Sequence, residues 1–199
     1  MSKIALTPNA AGTGVFTIAS PATNTNRTLT LPDEAGTVLT SASSLASANL
    51  TGSVPSSAMP AGSVLQVVQG SYATIVAINT GTYTFTGLTA TITPKFNNSK
   101  ILVQIEQQGC KANSIQTGDI NLRLQRNSTD VYKFALGYFY GGVSTEFRAG
   151  ISGCYLDSPA TTSATVYRTM FAANDGGTCS VQNDNANTVS TITLMEIAG

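Results

Sequence analysis

The chain is 199 residues long, with ten Lys or Arg balanced by ten Asp or Glu for a formal net charge of zero. Charged residues make up 10% of it, well under the roughly 25% of ordinary soluble domains. The cations are scattered, which excludes nucleic-acid binding through clustered phosphate neutralisation, and no stretch approaches the ~20 apolar residues of a membrane span.

The missing charge is replaced by Thr, Ser, Asn and Gly, with Thr the commonest residue. Thr is β-branched and suits a pleated strand, while its hydroxyl keeps an exposed face wet. No window holds a sustained helical period, so the composition predicts an all-β protein with wide uncharged surfaces. Cys110, Cys154 and Cys179 are far apart and form no CxxC pair. They read as small buried hydrophobes kept reduced, with one cross-strand contact left open. The Met1-Ser-Lys start lacks the apolar run of a secretory signal, which predicts folding in a cytoplasm.

Residues 1–40 hold short extended pieces. Val15, Phe16 and Ile18, then Leu29 and Leu31, then Val38 and Leu39 alternate with hydroxylated residues, and Pro21, Pro32 and Gly36 cut the run. These apolar residues are too few to close a core within one chain, so the segment must borrow partners from other chains or from a docking surface. Residues 41–62, SASSLASANLTGSVPSSAMPAG, are almost all small, hydroxylated, Pro or Gly. They read as a linker. Leu45, Leu50, Val54 and Met59 recur along it, so three copies wound together as a thin stalk is a second reading. The two zones could span at most roughly 200 Å fully stretched.

From residue 63 to 199 the texture is that of dense strands. Val64-Leu65-Gln66-Val67-Val68 opens the domain, and Tyr83 and Phe85 alternate with Thr. After Gly87, Leu88, Ala90 and Ile92 alternate with Thr again, which predicts a pair of strands ended by Pro94 and the Asn97-Asn98-Ser99 turn. Ile101, Val103 and Ile105 follow, then Leu122 and Leu124, then candidates at 131–140, 145–155, 164–172, 178–182 and 188–197. About ten strands with regular turn signals is the pattern of a β-sandwich or jelly roll.

Two of these strands look buried on both faces. Ile101-Leu102-Val103 is a continuous apolar run, and in Ile192-Thr193-Leu194-Met195-Glu196-Ile197 the apolar positions change parity. A bulge would explain the second case. A second buried surface against a neighbouring subunit would explain both, which makes Leu102, Met195 and Ile197 candidate interface residues.

Tyr132, Phe134, Tyr138, Phe139 and Tyr140 crowd one stretch. Stacking on sugar faces makes Tyr132, Tyr138 and Tyr140 candidate receptor contacts, although core packing accounts for alternate rings equally well. For catalysis the absence of histidine removes the usual base of Ser-His-Asp and Cys-His hydrolysis. Glu106, Asp119, Asp130, Glu146 and Asp157 could supply a glycosidase pair if two of them came together in a cleft. Their expected role is in strand-end solvation or ion pairs with Lys111, Arg123, Arg126 and Arg148. The loops Asn174-Asp175-Gly176-Gly177 and Asn183-Asp184-Asn185 have the oxygen-rich look of cation sites but few carboxylates, so they read as tight turns. No cofactor and no metal is expected.

The stretch FTIASPATNTNRTLTLPDEAGTVLT resembles the amino-terminal module of bacteriophage tail-fibre and virion-fibre proteins, in which a TLTLPD–GT–LT signature recurs. ANLTGSVPSSAMPAGSVLQVV is similar to their linker, LTATITPKFNNSKILVQI to the start of a fibre-tip β-domain, and TITLMEIAG to its end. The motifs span the whole length, though 113–187 matches only in texture. The resemblance implies a homotrimeric virion component, made in the host bacterial cytoplasm. Val15, Phe16, Ile18, Leu29 and Leu31 would lie in the part that attaches to other virion proteins of tail or capsid. The β-sandwich would point outward to a host surface glycan or protein. It also admits a head fibre or capsid decoration protein, and, less in keeping with the residues, a glycan-cleaving fibre enzyme.

Overall fold

The computed structural model of the protein describes residues 10–15, 17, 19, 22–28, 30, 54–113, 119–138, 147–173, 177–183 and 188–199. The chain divides into two units, Met1–Leu50 and Thr51–Gly199. In the first, the described residues hold no strand, and Val15 is 90% exposed. Phe16, Ile18, Leu29 and Leu31 lie outside the described residues.

The described residues of the second unit open with a 3-10 turn, Ser56–Ala58, and continue as ten strands. They are β1 (Val64–Tyr72), β2 (Val76–Ile78), β3 (Thr84–Ile92), β4 (Lys100–Asn113), β5 (Ile120–Arg126), β6 (Thr129–Tyr138), β7 (Phe147–Asp157), β8 (Thr165–Ala173), β9 (Thr178–Val181) and β10 (Ser190–Ile197). The all-β expectation is met, and two sheets stack as a sandwich. One has the order β1-β10-β4-β9-β2 with β7 also on β4, and the other the order β3-β8-β5-β6. β7 pairs with β4 along nearly its whole length, while β10 takes residues 100–106 of β4 and β9 takes 111–113. β10 and β9 therefore share the edge of β4 opposite β7.

The expected pair of strands around Gly87 is instead one strand. β3 runs through Gly87, and its register against β8 breaks between Phe85 and Thr89. Gly87 has φ 91°, and a Cβ there would fall 2.1 Å from the Tyr72 ring. The alternation carries on through the irregularity, so that Thr86 and Leu88 both face inward and Phe85 stays outside. β2, a three-residue strand against β9, has too short an alternation to be read from sequence.

The core has two apolar clusters. One gathers Leu88, Ile92, Ile101, Val103, Ile105, Leu124, Tyr167, Ile192 and Leu194. The other gathers Cys110, Ile120, Leu122, Ile151, Phe171, Cys179 and Val181. A buried polar chain lies between them along β4 and β8. The Thr169 hydroxyl donates to Gln107 Oε1 at 2.8 Å and shares a 2.5 Å bond with the Thr86 hydroxyl. Gln107 Nε2 and Gln182 Nε2 both donate to Ser190 Oγ at 3.0 Å. Linked amides and hydroxyls of this kind fix which strand faces which, because a slipped register would strand them without partners.

The parity change in β10 is not a bulge against β4. The two strands pair without interruption from Thr191 to Ile197, and Ile192, Leu194 and Glu196 all point inward. The inward position that breaks the apolar pattern is Glu196, which is 0% exposed. Its carboxylate accepts from Gln66 Nε2 at 2.5 Å, the Lys95 N–H at 2.7 Å and Ser99 Oγ at 2.7 Å. Burial pushes this carboxyl up, but those donors and the Phe96 N–H outweigh it and hold Glu196 below the usual carboxylate range.

Candidate assembly interface

The outer face of the six-stranded sheet is assembled by register. Met195 stands opposite Val67 on one side and Leu102 on the other, and Leu102 stands opposite Leu156. Four neighbouring strands thus contribute one apolar residue each to a continuous row on the solvent side. Its ends are open, Val67 at 57% and Leu156 at 50% exposure, while Met195 and Leu102 are half-buried between their neighbours. Ile197, beside Val64, starts the adjoining row, which ends at Lys100.

The next two rows are polar and almost uncharged. One is Gln69, Thr193, Gln104 and Cys154, and the other is Ser71, Thr191, Glu106 and Ser152. Gln69 Nε2 donates to Thr193 Oγ1 at 3.0 Å, and Ser152 Oγ donates to Glu106 Oε2 at 2.6 Å. A shallow depression of about 340 Å³ lies over Gln104, Glu106, Ser152, Cys154, Thr191 and Thr193. Lys100 and Glu106 are the charged residues at the outward positions of β1, β10, residues 100–107 of β4 and residues 151–156 of β7; Lys111 and Arg148 stand opposite one another farther along β4 and β7.

The outer face of the other sheet is built oppositely. The Arg123 guanidinium lies 3.7 Å from the centroid of the Tyr83 ring and forms an ion pair with Asp130. Gln125 Nε2 donates to Asp130 Oδ1 at 2.9 Å, and Arg168 Nε donates to Gln125 Oε1 at 3.0 Å. Burial pushes the Tyr83 hydroxyl up, with Arg123 opposing the shift. This face links its Arg123, Asp130 and Arg168 within one chain, although the buried Nε of Arg123 has no hydrogen-bond partner.

The structure brings the candidate interface residues Leu102 and Met195 into one row, with Ile197 in the adjoining one. Val67 and Leu156 complete the row, and the sequence signal for Val67 lies in the adjacent pair Val67-Val68, whose side chains cannot both face one core. Leu156 gave none, because it falls at the end of its strand. Among the candidate receptor tyrosines, Tyr132 is half-buried, with its ring 5.1 Å from Tyr155 and 6.2 Å from Phe134 in a stack against the core. The side chain of Tyr138 and the whole of Tyr140 lie outside the described residues.

The described carboxylates have separate partners. Asp157 accepts two bonds of 2.9 Å from Arg126 Nη1 and one of 2.6 Å from the Tyr167 hydroxyl, clamping β5, β7 and β8 together. That bond and burial push the Tyr167 hydroxyl strongly up, burial being the larger cause. Asp119 is buried, Glu106 and Asp130 are held as described above, and Glu146 lies outside the described residues. The expectation of buried cysteines holds for Cys110 and Cys179 but is corrected for Cys154, which is exposed. Its strand position alternates with Gly153 and Tyr155 and so faces outward. Burial pushes the thiols of Cys110 and Cys179 up to about 12, and all three cysteines are free. Of the cation-like loops, Asn183 makes a turn contact, Nδ2 donating to Ser180 Oγ at 2.8 Å; residues 174–176 and 184–187 are outside the described set. Among the described residues no group of His, Cys, Asp and Glu is arranged to hold a metal ion.

No protein-family model and no curated protein matches the chain.

Proposed function

We propose that the protein is a structural virion component of a bacteriophage, a homotrimeric fibre whose β-sandwich head mediates adhesion to the host surface. The observation that carries self-assembly is the row Val67–Met195–Leu102–Leu156, next to rows of mostly uncharged polar side chains. An apolar row spanning four strands costs free energy in water, and covering it returns roughly 25 cal/mol for each Å² buried. The assignment to a phage fibre rests on the ordered motifs of the sequence. The strand orders β1-β10-β4-β7 and β3-β8-β5-β6 support a jelly-roll reading of the head, since they pair the strands as two Greek keys do.

In this reading residues 1–40 attach to other virion proteins, 41–62 form the linker or stalk, and 63–199 form the head. Several heads on one particle turn weak receptor contacts into firm attachment through avidity. Cryo-electron microscopy of intact particles tests the placement. Density for three copies at a tail site is the expected result, whereas occupancy following the shell symmetry would assign the chain to capsid decoration or a head fibre instead. Release of sugar from host glycans by the purified protein, lost when one carboxylate is replaced, would overturn adhesion without catalysis.

A further inference from the structure

The six-stranded sheet ends in three edge strands, β1, β2 and β7, and the four-stranded sheet in two, β3 and β6. An unpaired edge is a template for another chain, and proteins blunt edges by shortness, bulges or charge. β2 has three residues. β3 has its bulge at Gly87. β6 carries Asp130 and Lys133 and breaks register repeatedly against β5. By contrast, residues 67–72 of β1 and 151–156 of β7 contain no charge and no proline, and their pairings run without a break.

These two unblunted stretches stand at the same level of the sheet. Val67 and Leu156 end one outer-face row, Gln69 and Cys154 the next, and Ser71 and Ser152 the third. Three antiparallel pairings separate β1 from β7, so the two strands run in opposite directions. A rotation about an axis parallel to the strands preserves those directions and therefore brings β7 of one copy antiparallel to β1 of the next. That is a heterologous contact able to close into a ring.

We propose that β7 pairs with β1 of a second copy of this chain, Leu156 opposite the partner's Val67 and Cys154 opposite the partner's Gln69. The pairing satisfies the edge amides and carbonyls of both strands, and it covers the two most exposed members of the apolar row with one another. A second copy fits this edge because no other edge of the described chain matches it in length, level, direction and lack of charge. The inference rests on the self-association proposed above and adds its geometry.

Cys154 supplies the test, since it is exposed and free while Cys110 and Cys179 are buried. Residues opposite one another in an antiparallel pair have Cα atoms roughly 4.5–5.5 Å apart, within the range a disulfide accepts. The full chain carrying Gln69→Cys is treated with diamide, which takes up the two electrons and two protons released as the two thiols join. Non-reducing electrophoresis should show cross-linked species up to a closed trimer. These should be lost in Q69C/C154S and absent from the unsubstituted protein. Light scattering on the same samples separates the two claims. A trimer that Q69C does not cross-link above the C154S control overturns the edge pairing and leaves self-assembly standing. Cross-linking that stops at dimers also overturns it, and a monomer overturns both.

Discussion

The two outer faces of the sandwich are made from the same kind of strand and reach opposite ends. On the four-stranded sheet, Tyr83, Arg123, Asp130, Gln125 and Arg168 are linked to one another within one chain. On the six-stranded sheet, Val67, Met195, Leu102 and Leu156 line up without any such closure. A low-charge sequence can thus keep one face solvated by linking its ions to one another and to an aromatic ring there. The lesson is that low overall charge does not make a surface uniformly adhesive; register decides where the apolar residues meet.

The sharpest way to break this contrast is to place a charge in the row. Leu102→Asp sets a carboxylate between Met195 and Leu156 and should cost association roughly 2 kcal/mol or more, the scale of a central interface residue. Light scattering should report dissociation with the far-ultraviolet circular dichroism unchanged. Arg168→Ala on the opposite face should leave the assembly intact; equal loss in both variants would remove the distinction between the faces.

A comparable effect, on folding instead of association, is expected beneath the row. Glu196→Ala leaves the Gln66, Ser99 and Lys95 donors without their acceptor and should cost about 2–3 kcal/mol in urea unfolding. The charge also makes stability depend on pH. Because its folded pKa is lowered, its contribution is fully present above the unfolded value, about 4.3 for Glu, and is lost as pH falls through the folded value. Glu196→Gln carries no charge and should flatten that part of the profile; an unchanged acid slope would assign the loss to other carboxylates.

The smallest effect belongs to the exposed ion pair. Asp130→Ala should change stability by no more than about 1 kcal/mol, and less with added salt, because solvated pairs are screened. A large loss in thermal unfolding would mean that the Tyr83–Arg123–Asp130 cluster is structural rather than a solvated cap.

Much of the head was legible because alternation is local. Leu88-Ala90-Ile92, Ile101-Val103-Ile105 and Leu122-Leu124 each announced a strand with one inward face, and each is inward in the fold. The run Ile101-Leu102-Val103 also announced that Leu102 would face away from that core. Gly87 reads as a break between strands because sequence cannot tell a turn glycine from a bulge glycine; the pairing of β3 with β8 on both sides of it settles the matter. Glu196 was hidden for a similar reason, since its donors are 97 to 130 residues away for Ser99 and Gln66.

By itself, then, the sequence determined that the chain is all-β, where most strands run, and which residues alternate inward, because those properties depend on neighbours along the chain. Which outward residues meet was decided only by the tertiary structure. Val67, Met195, Leu102 and Leu156 become one surface through antiparallel registers between strands distant in sequence, and a shift of one residue in any of those pairings would turn that strand's side chains to the other face.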